Sequence, residues 1–181
     1  MRVITGSARG RVLKALSGDS VRPTGDRAKE GIFSAVQFDI EGRRVLDLFA
    51  GSGQLGIEAL SRGAAEAVFV DADAAATATV RENLLTTGLG ENAQVVRSDA
   101  IAYLRTCADT FGLIFIDPPY QSGLQAKCLE LCGPLLAPGG SVICETAAGH
   151  PLPEKTGGLA RYRSYRYGKT AVTIYRRDAT P

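Results

Sequence analysis

The sequence predicts an α/β fold built on a mostly parallel sheet. Five apolar runs between residues 45 and 145 alternate with stretches of helical periodicity, a pattern typical of right-handed β-α-β crossovers. With 181 residues, 45% of them hydrophobic, the chain is long enough for a core on both faces of one sheet. We therefore expect a single domain, 1–181, with an N-terminal β-hairpin extension at 1–20 and an α/β core at 21–181.

The first residues predict the hairpin. Residues 2–5 and 11–16 are two short strand-like runs around a glycine-containing turn. The basic side chains that it would display are Arg2, Arg9, Arg11 and Lys14. Contact with phosphates and ordinary edge-strand charge explain them about equally well.

A helix is predicted after the hairpin. Its apolar positions recur on one face, at Ala28, Ile32, Phe33 and Val36. Thr24 is placed to cap its N-terminus. A helix that covers the sheet explains this segment except for Arg22 and Arg27, which could reach a substrate or the carboxylate of a cofactor.

A buried-strand pattern over residues 45–48 ends in a glycine turn that leads directly into a helix. Gly51 and Gly53 permit a tight turn and the close approach of a ligand. With Gly56 and with Asp71, about 20 residues further on, they also match a dinucleotide fingerprint. Asp47 argues against NAD, because a carboxylate beside a pyrophosphate is repulsive whereas one beside a cation is favourable. The loop therefore favours S-adenosylmethionine, which carries an ammonium and a sulfonium and no phosphate.

The remaining elements follow in order. Helices are predicted around 55–62, 74–85, 101–104 and 124–135, and strands over 67–70, 93–97, 113–116 and 141–145. Asp73 is expected to cap the second of these helices, and Gly63 and Gly88 to end the first two. A turn is expected at 138–140, a loop at 146–158, and a closing antiparallel hairpin at 159–176.

Aspartates end four of the predicted strands, namely Asp47, Asp71, Asp99 and Asp117. The carboxyl ends of parallel strands share one rim of the sheet, and ligands of such folds bind at that rim. One terminal aspartate would be an ordinary turn former. Four of them at one rim indicate a binding site.

The charge is unevenly distributed although the net charge is only +2. Residues 1–44 carry nine Lys/Arg against five Asp/Glu, residues 45–154 five against thirteen, and residues 155–181 seven against one. Basic ends around an acidic middle are the pattern expected if the ends contact a polyanion and the middle holds a small cation.

The closing hairpin interleaves basic and aromatic residues. The side chains expected on one face of its first strand are Arg161, Arg163, Tyr165 and Tyr167, with Lys169 in the turn. RNA contact and a solvated edge strand are about equally good explanations of this pattern.

The turn Asp117, Pro118, Pro119, Tyr120 predicts chemistry on an amine. The exocyclic amine of a nucleobase is a poor nucleophile because its lone pair is delocalised, and acceptors that hold both N–H groups out of the ring plane restore it. Asp117 Oδ and the Pro118 carbonyl could be these acceptors in a proline-stiffened turn. Tyr120 would stack on a flipped base. No strong base is required, which suits a chain with one histidine.

Several of these segments resemble the motifs of a known family. Residues 46–53 resemble motif I of amino-methyltransferases, and residues 117–120 resemble their motif IV. With Arg22-Pro23-Thr24, Asp26-Arg27 and the run that ends Glu58-Ala59-Leu60-Ser61-Arg62-Gly63, nearly the whole chain is similar to the RsmD family of bacterial 16S rRNA guanine-N2 methyltransferases.

The resemblance implies a class I S-adenosylmethionine-dependent methyltransferase fold, Rossmann-like, with a seven-stranded mostly parallel sheet and an antiparallel C-terminal hairpin. It implies that Asp47, Gly51 and Gly53 line the methionine part of S-adenosylmethionine, that Asp71 holds the ribose, and that Asp99 holds the adenine amine. Asp71 stands where relatives commonly have Glu, and the shorter acid can still bind a diol. The full set expected to bind the cofactor is Thr24, Arg27, Asp47, Phe49, Ala50, Gly51, Gly53, Asp71, Ala72, Asp99, Ala100 and Asp117.

The expected partner is 16S rRNA, within the small ribosomal subunit or an assembly intermediate. The residues expected to contact it are Arg2, Arg9, Arg11, Lys14, Arg22, Arg161, Arg163 and Lys169. Related amino-methyltransferases act on DNA adenine or cytosine, or on a glutamine amide of release factors. The 44 residues before Val45 and the roughly 60 after Tyr120 are too few for the additional domains of those enzymes, which favours RNA. Methylation of adenine N6 in RNA or DNA remains the alternative.

Two other classes of protein explain less of the sequence. A nucleotide-linked oxidoreductase is disfavoured by Asp47 and Asp117, and a non-catalytic RNA-binding module explains neither acid. Four cysteines without C-x-x-C spacing and a single histidine make a metal site improbable and indicate reduced, core or half-buried thiols. With no apolar run near 18 residues and no signal-peptide pattern, we expect a cytoplasmic protein with no membrane contact, and a monomer.

Overall fold

The computed structural model describes residues 1–16, 26–119 and 123–178, and only the backbone of Asp26 and Arg27. The helices are α1 (Asp26–Val36), α2 (Gln54–Ser61), α3 (Ala74–Thr87), α4 (Ala100–Thr106) and α5 (Leu124–Cys132). The strands are β1 (Arg44–Leu48), β2 (Glu66–Asp71), β3 (Ala93–Arg97), β4 (Phe111–Ile116), β5 (Leu136–Ala147), β6 (Lys155–Thr156), β7 (Leu159–Tyr167) and β8 (Thr170–Arg177). None of these helices has the length and apolar character needed to cross a bilayer.

The strands form one mixed sheet in the order β3-β2-β1-β4-β5-β8-β7-β6. β1 to β5 pair in parallel, and β8 pairs antiparallel with both β5 and β7. This confirms the α/β class I fold with its antiparallel C-terminal hairpin. The expectation of seven strands was wrong by one, because the two-residue β6, within the segment predicted as a loop, pairs with the outer edge of β7.

Both faces of the central strands β1, β2 and β4 are buried, which explains their continuous apolar runs. On one face Val45, Phe69 and Phe115 pack with α1, α2 and α3. On the other face Leu46 and Ile114 pack with α4 and α5. Alternate residues of each strand therefore enter different cores, as the two-residue period of a strand requires.

Most predicted helix ends are confirmed. The Asp73 side chain accepts a hydrogen bond from the Ala75 N–H at 2.9 Å and caps α3, and Gly88 ends this helix with φ +72°. Gly63, at φ +96°, follows the end of α2. The turn expected at 138–140 instead lies within β5, where the pairing with β4 shifts register.

The N-terminal hairpin is less regular than predicted. In place of two strands there is one antiparallel bridge, between Arg2 and Val12. The turn is held by side chains of α2: the Glu58 carboxylate accepts from the Ile4 and Thr5 N–H groups at 2.8 and 3.0 Å. Ser61 Oγ accepts from the Ala8 N–H and donates to the Thr5 carbonyl. The two arms are still joined by backbone hydrogen bonds, from the Val3 N–H to the Arg11 carbonyl and from the Leu13 N–H to the Met1 carbonyl, each at 3.0 Å, so the hairpin is present and is also bound to α2.

The prediction for one face of β7 was partly wrong. Arg161 lies opposite Tyr175, but Arg163 lies opposite Ile174, because a register shift between them inserts one extra residue. A β-bulge of this kind moves the side chain of every later residue in the strand to the opposite face of the sheet. Tyr165 and Tyr167 pack towards the α1 side of the sheet, whereas Arg161 lies opposite a residue that packs on the other side.

Candidate active site

A cavity of about 470 Å³ opens at the carboxyl rim of the parallel strands, beside the glycine turn. The predicted residues that line it come from the ends of four strands and the segments that follow them: Asp47, Phe49, Ala50, Gly51, Asp71, Ala72, Asp99, Ala100, Asp117, Pro118 and Pro119. Fold topology thus brings together residues that are up to 72 positions apart in the chain. Thr24, Arg22 and Tyr120, and the side chain of Arg27, lie outside the described residues.

The glycine turn is tightly wound. Gly51 and Gly53 have φ values of +57° and +79°, and Phe49 has φ +62°. A positive φ is uncommon for a bulky residue and marks local strain, which concentrates at functional sites. A Cβ on Gly53 would lie 3.2 Å from Val80, so Gly53 is packed under the turn and is not among the cavity residues.

The third glycine of the fingerprint has a packing role. A Cβ on Gly56 would lie 2.3 Å from Cε1 of Phe69 in β2, so only glycine lets α2 approach the sheet this closely. The Gly56 N–H also donates to Asp47 Oδ2 at 2.9 Å. The spacing that matches a dinucleotide fingerprint therefore arises here from helix packing and from the positioning of Asp47.

Asp47 is the most enclosed acid of the cavity, with 1% of its surface exposed. Burial raises the pKa of Asp47 well above its ordinary value, and the nearby charges of Asp117 and Asp71 raise this pKa further, while the hydrogen bond from Gly56 opposes the rise. A carboxylate in this position is stabilised by a positive charge placed beside it. The cavity is therefore suited to a cationic ligand.

Asp71 and Asp99 are oriented by backbone groups. Asp71 accepts from the N–H groups of Gly51 and Asp73, each at 2.9 Å, which ties β2 to the glycine turn. Asp99 caps α4 by accepting from the Ala102 N–H at 2.9 Å. Each carboxylate has lone pairs beyond these bonds, so both retain the capacity to accept from hydroxyl or amine groups of a ligand.

Five polar residues line the cavity without having been predicted to do so, namely Ser52, Gln54, Asp73, Ser98 and Glu145. Glu145, 5% exposed, lines it two residues before the end of β5. It ends the strand predicted at 141–145, so the rule that selected four strand-ending aspartates applies to this glutamate as well. Gln54, 8% exposed, is the first residue of α2, directly after the glycine turn. The N-terminal segment also contributes, through Met1, Ala15 and Leu16, and no local sequence signal pointed to it.

The basic residues predicted to contact RNA differ in their surroundings. Arg2, Arg9, Arg11, Arg163 and Lys169 are exposed. Lys14 pairs with Glu82 at 2.6 Å, and Arg161 pairs with Glu154 at 2.8 Å. The two basic ends of the chain meet at α1: Lys29 Nζ donates to the Arg2 carbonyl at 2.8 Å, and the Tyr167 ring lies directly beside Gly31.

The cysteines are free, as predicted, with Cys128, Cys132 and Cys144 buried and Cys107 half-buried. Within residues 1–16, 26–119 and 123–178, no group of three or more His, Cys, Asp or Glu side chains is arranged to hold a metal ion.

The sheet order and the acid-lined cavity beside a glycine turn define the class I methyltransferase fold. Residues 1–176 match the family model described as "Conserved hypothetical protein 95". The chain belongs to this family, the RsmD family that the motifs had indicated.

Individual relatives agree with this assignment along almost the whole chain. "Putative rRNA methyltransferase YlbH" of Bacillus subtilis (strain 168) is 46% identical over 182 residues, 98% of this chain and 99% of that protein. "Ribosomal RNA small subunit methyltransferase D" of Escherichia coli (strain K12) is 35% identical over 99% of this chain and 91% of its own length. The solved structure "Putative methyltransferase yhhF from Escherichia coli" superposes with a TM-score of 0.87 at 35% identity over 99% of both chains.

Proposed function

We propose that this protein is an S-adenosylmethionine-dependent methyltransferase that modifies the exocyclic N2 amine of a guanine in 16S rRNA, within the small ribosomal subunit or an assembly intermediate. The observation that carries the proposal is one cavity lined by Asp47, Asp71 and the Asp117-Pro118-Pro119 turn. Relatives named as rRNA methyltransferases, one of them of the small subunit, support the choice of substrate. We expect a single-domain monomer that acts in the cytoplasm.

The residues present fit the cofactor. Six carboxylic acids line the cavity, and no lysine or arginine does among the described residues, so a cation is favoured over a dinucleotide. Asp71 would accept from the ribose diol and Asp99 from the adenine amine. S-adenosylmethionine, when bound, supplies an activated methyl group on a sulfonium. Its positive charge would lower the pKa of Asp47 and stabilise the ionised carboxylate.

The Asp117 turn would position the substrate. Asp117 and Pro118 both line the cavity, Asp117 half-buried and Pro118 buried. The Asp117 carboxylate and the Pro118 carbonyl accept the two N–H groups of the amine and direct its lone pair towards the methyl group. Tyr120 stacks on the flipped base, which helps to offset the few kcal/mol that unstacking costs. Most of the acceleration would then come from alignment. As the C–N bond forms, the bond between the methyl group and sulfur would break and leave S-adenosylhomocysteine, and the methylated amine would release a proton to solvent.

The experiment that tests this function is the methylation of purified small subunits, and of naked 16S rRNA, by the protein with radiolabelled S-adenosylmethionine. Mass mapping of the product is expected to find one N2-methylguanine. N6-methyladenine would establish the alternative, and incorporation into neither RNA would refute an rRNA substrate.

The basic residues at both ends of the chain would contact the RNA backbone around the mouth of the cavity. If about five phosphates are contacted, the logarithm of the affinity should fall against the logarithm of the salt concentration with a slope of about −3.5 to −4.5. Filter binding between about 50 and 200 mM salt measures this slope. A slope near zero would show that these residues do not contact phosphates.

A further inference from the structure

The N-terminal segment forms part of the cavity wall. Met1, Ala15 and Leu16 line the cavity, on the side of the glycine turn. A Cβ on Gly51 would be 3.8 Å from Leu16 Cδ1, and Ser52 Oγ donates to Met1 Sδ at 3.6 Å. A ligand seated against the glycine turn therefore also lies near residues from the start of the chain.

One buried side chain attaches this wall to the turn. Asn83 in α3 is 1% exposed. Its Oδ1 accepts from the Lys14 N–H at 2.8 Å, and its Nδ2 donates to the Lys14 carbonyl at 3.0 Å. The same Nδ2 donates to the Ser52 carbonyl at 2.8 Å. A single amide thus binds both backbone groups of the residue before Ala15 and a carbonyl of the glycine turn.

Most other side-chain hydrogen bonds to the segment lie further from Ala15 and Leu16. Glu58 and Ser61 bind residues 4, 5 and 8, none of which lines the cavity. Lys14 also pairs with Glu82, but both of those side chains are more than half exposed, and exposed pairs contribute little. Among the described residues, Leu13 is anchored by its buried side chain and by its N–H bond to the Met1 carbonyl, and Asn83 supplies the buried side-chain hydrogen bonds next to Ala15 and Leu16.

We propose that Asn83 is a positioning residue for the cofactor: by holding Lys14 against the glycine turn, it makes the N-terminal segment a wall of the cofactor-binding site. The inference rests on the proposed function, because it takes the ligand to be S-adenosylmethionine. Asn83 acts through Lys14 and Ser52, so its loss should weaken cofactor binding and leave the chemical step largely unchanged.

Asn83→Asp tests this role with a nearly isosteric change. The carboxylate would face the carbonyls of Lys14 and Ser52, two acceptors that it cannot satisfy. We expect the Kd for S-adenosylhomocysteine, measured by calorimetry, and the KM for S-adenosylmethionine to rise about tenfold or more, which corresponds to about 1.4 kcal/mol. The kcat at saturating cofactor should stay within about threefold of the wild-type value, since a positioning role affects ground-state and transition-state binding alike.

Glu82→Gln is the matched control, because it removes the exposed contact of the same lysine and leaves its backbone bonds intact. Its Kd should remain within about twofold of the wild-type value. The proposal would be overturned if the folded Asn83→Asp protein had an unchanged Kd, or if both variants lost the same amount of affinity for S-adenosylhomocysteine. Loss of kcat without a change in KM would do so as well.

Leu16→Ala keeps the inference testable if Asn83→Asp does not fold. It shortens a side chain of the wall without disturbing Asn83, and we expect the Kd for S-adenosylhomocysteine to rise several-fold because apolar contact is lost. An unchanged Kd would show that the segment is no part of the binding site. If the wild-type protein bound no S-adenosylhomocysteine, the proposed function would fail together with this role; binding that the variants leave unaltered would refute the role alone.

Discussion

Asp117→Ala is expected to lower the kcat for methyl transfer on the order of a thousandfold. The Asp117 carboxylate would hold one amine N–H out of the plane of the base, so that the nitrogen lone pair becomes available. Alanine has no side-chain acceptor for this N–H. The affinity for S-adenosylmethionine should stay within about tenfold, because this interaction is made chiefly in the transition state. Calorimetry gives the affinity, and single-turnover methylation gives the rate.

The affinity should change little for a second reason. The charge of Asp117 contributes to the raised pKa of Asp47. Removal of Asp117 takes one carboxylate from the cavity, but it also lowers the pKa of Asp47, so that Asp47 is more readily ionised and interacts better with a cationic cofactor. The control is Asp109→Asn, which alters an aspartate that pairs with Arg44 at 2.9 Å and does not line the cavity. It should transfer methyl groups at the wild-type rate. Turnover by Asp117→Ala close to that rate would refute the catalytic assignment.

Glu58→Ala should lower the free energy of unfolding by about 3–5 kcal/mol, the usual cost of removing one partner of a buried ion pair. The side chains of Glu58 and Lys29 are both 0% exposed, with 3.7 Å between Oε2 and Nζ. Glu58 also accepts from Arg62 Nε at 2.8 Å and from the Ile4 and Thr5 N–H groups. Alanine leaves two backbone donors unsatisfied and a buried ammonium without this carboxylate.

Urea denaturation followed by circular dichroism measures the change. Glu58→Gln should lower the free energy of unfolding less than Glu58→Ala does, because the glutamine Oε1 still accepts from a backbone N–H. Glu82→Gln breaks an exposed pair and should change the free energy of unfolding by less than about 1 kcal/mol. If Glu58→Ala were as stable as Glu82→Gln, the buried network would not be what holds the N-terminal segment to α2.

The resemblance rested partly on the run from Glu58 to Gly63, and the structure gives that run a physical role. Glu58 and Ser61 bind the N-terminal turn, and the Arg62 guanidinium lies 4.7 Å from the centre of the Phe33 ring in α1. These residues join α2 to α1 and to the start of the chain. Their contacts could not be deduced from spacing, since they are made across about 29 to 54 positions of sequence.

The rule that parallel strands share one carboxyl rim was sufficient to predict which acids lie together at the cavity. It placed Asp47, Asp71, Asp99 and Asp117 together, and all four line one cavity, because parallel strands necessarily end at the same edge. Which face of the sheet each side chain of β7 occupies could not be predicted in the same way. A bulge between Arg161 and Arg163 arises from how β7 matches its partner strand, and the alternation of the sequence gives no sign of it.

The sequence by itself determined the order of the helices and central strands, the glycine turn, the acids at the strand ends and the proline turn that follows Asp117, because each of these depends on a few neighbouring residues. Only the tertiary structure decided that the N-terminal segment lines the cavity and that Asn83, 69 positions from Lys14, holds it there. Such contacts depend on how α3 packs beside the first residues of the chain. The physical reason is that a buried amide is satisfied by whichever backbone groups the fold brings to it, however far away they lie in the sequence.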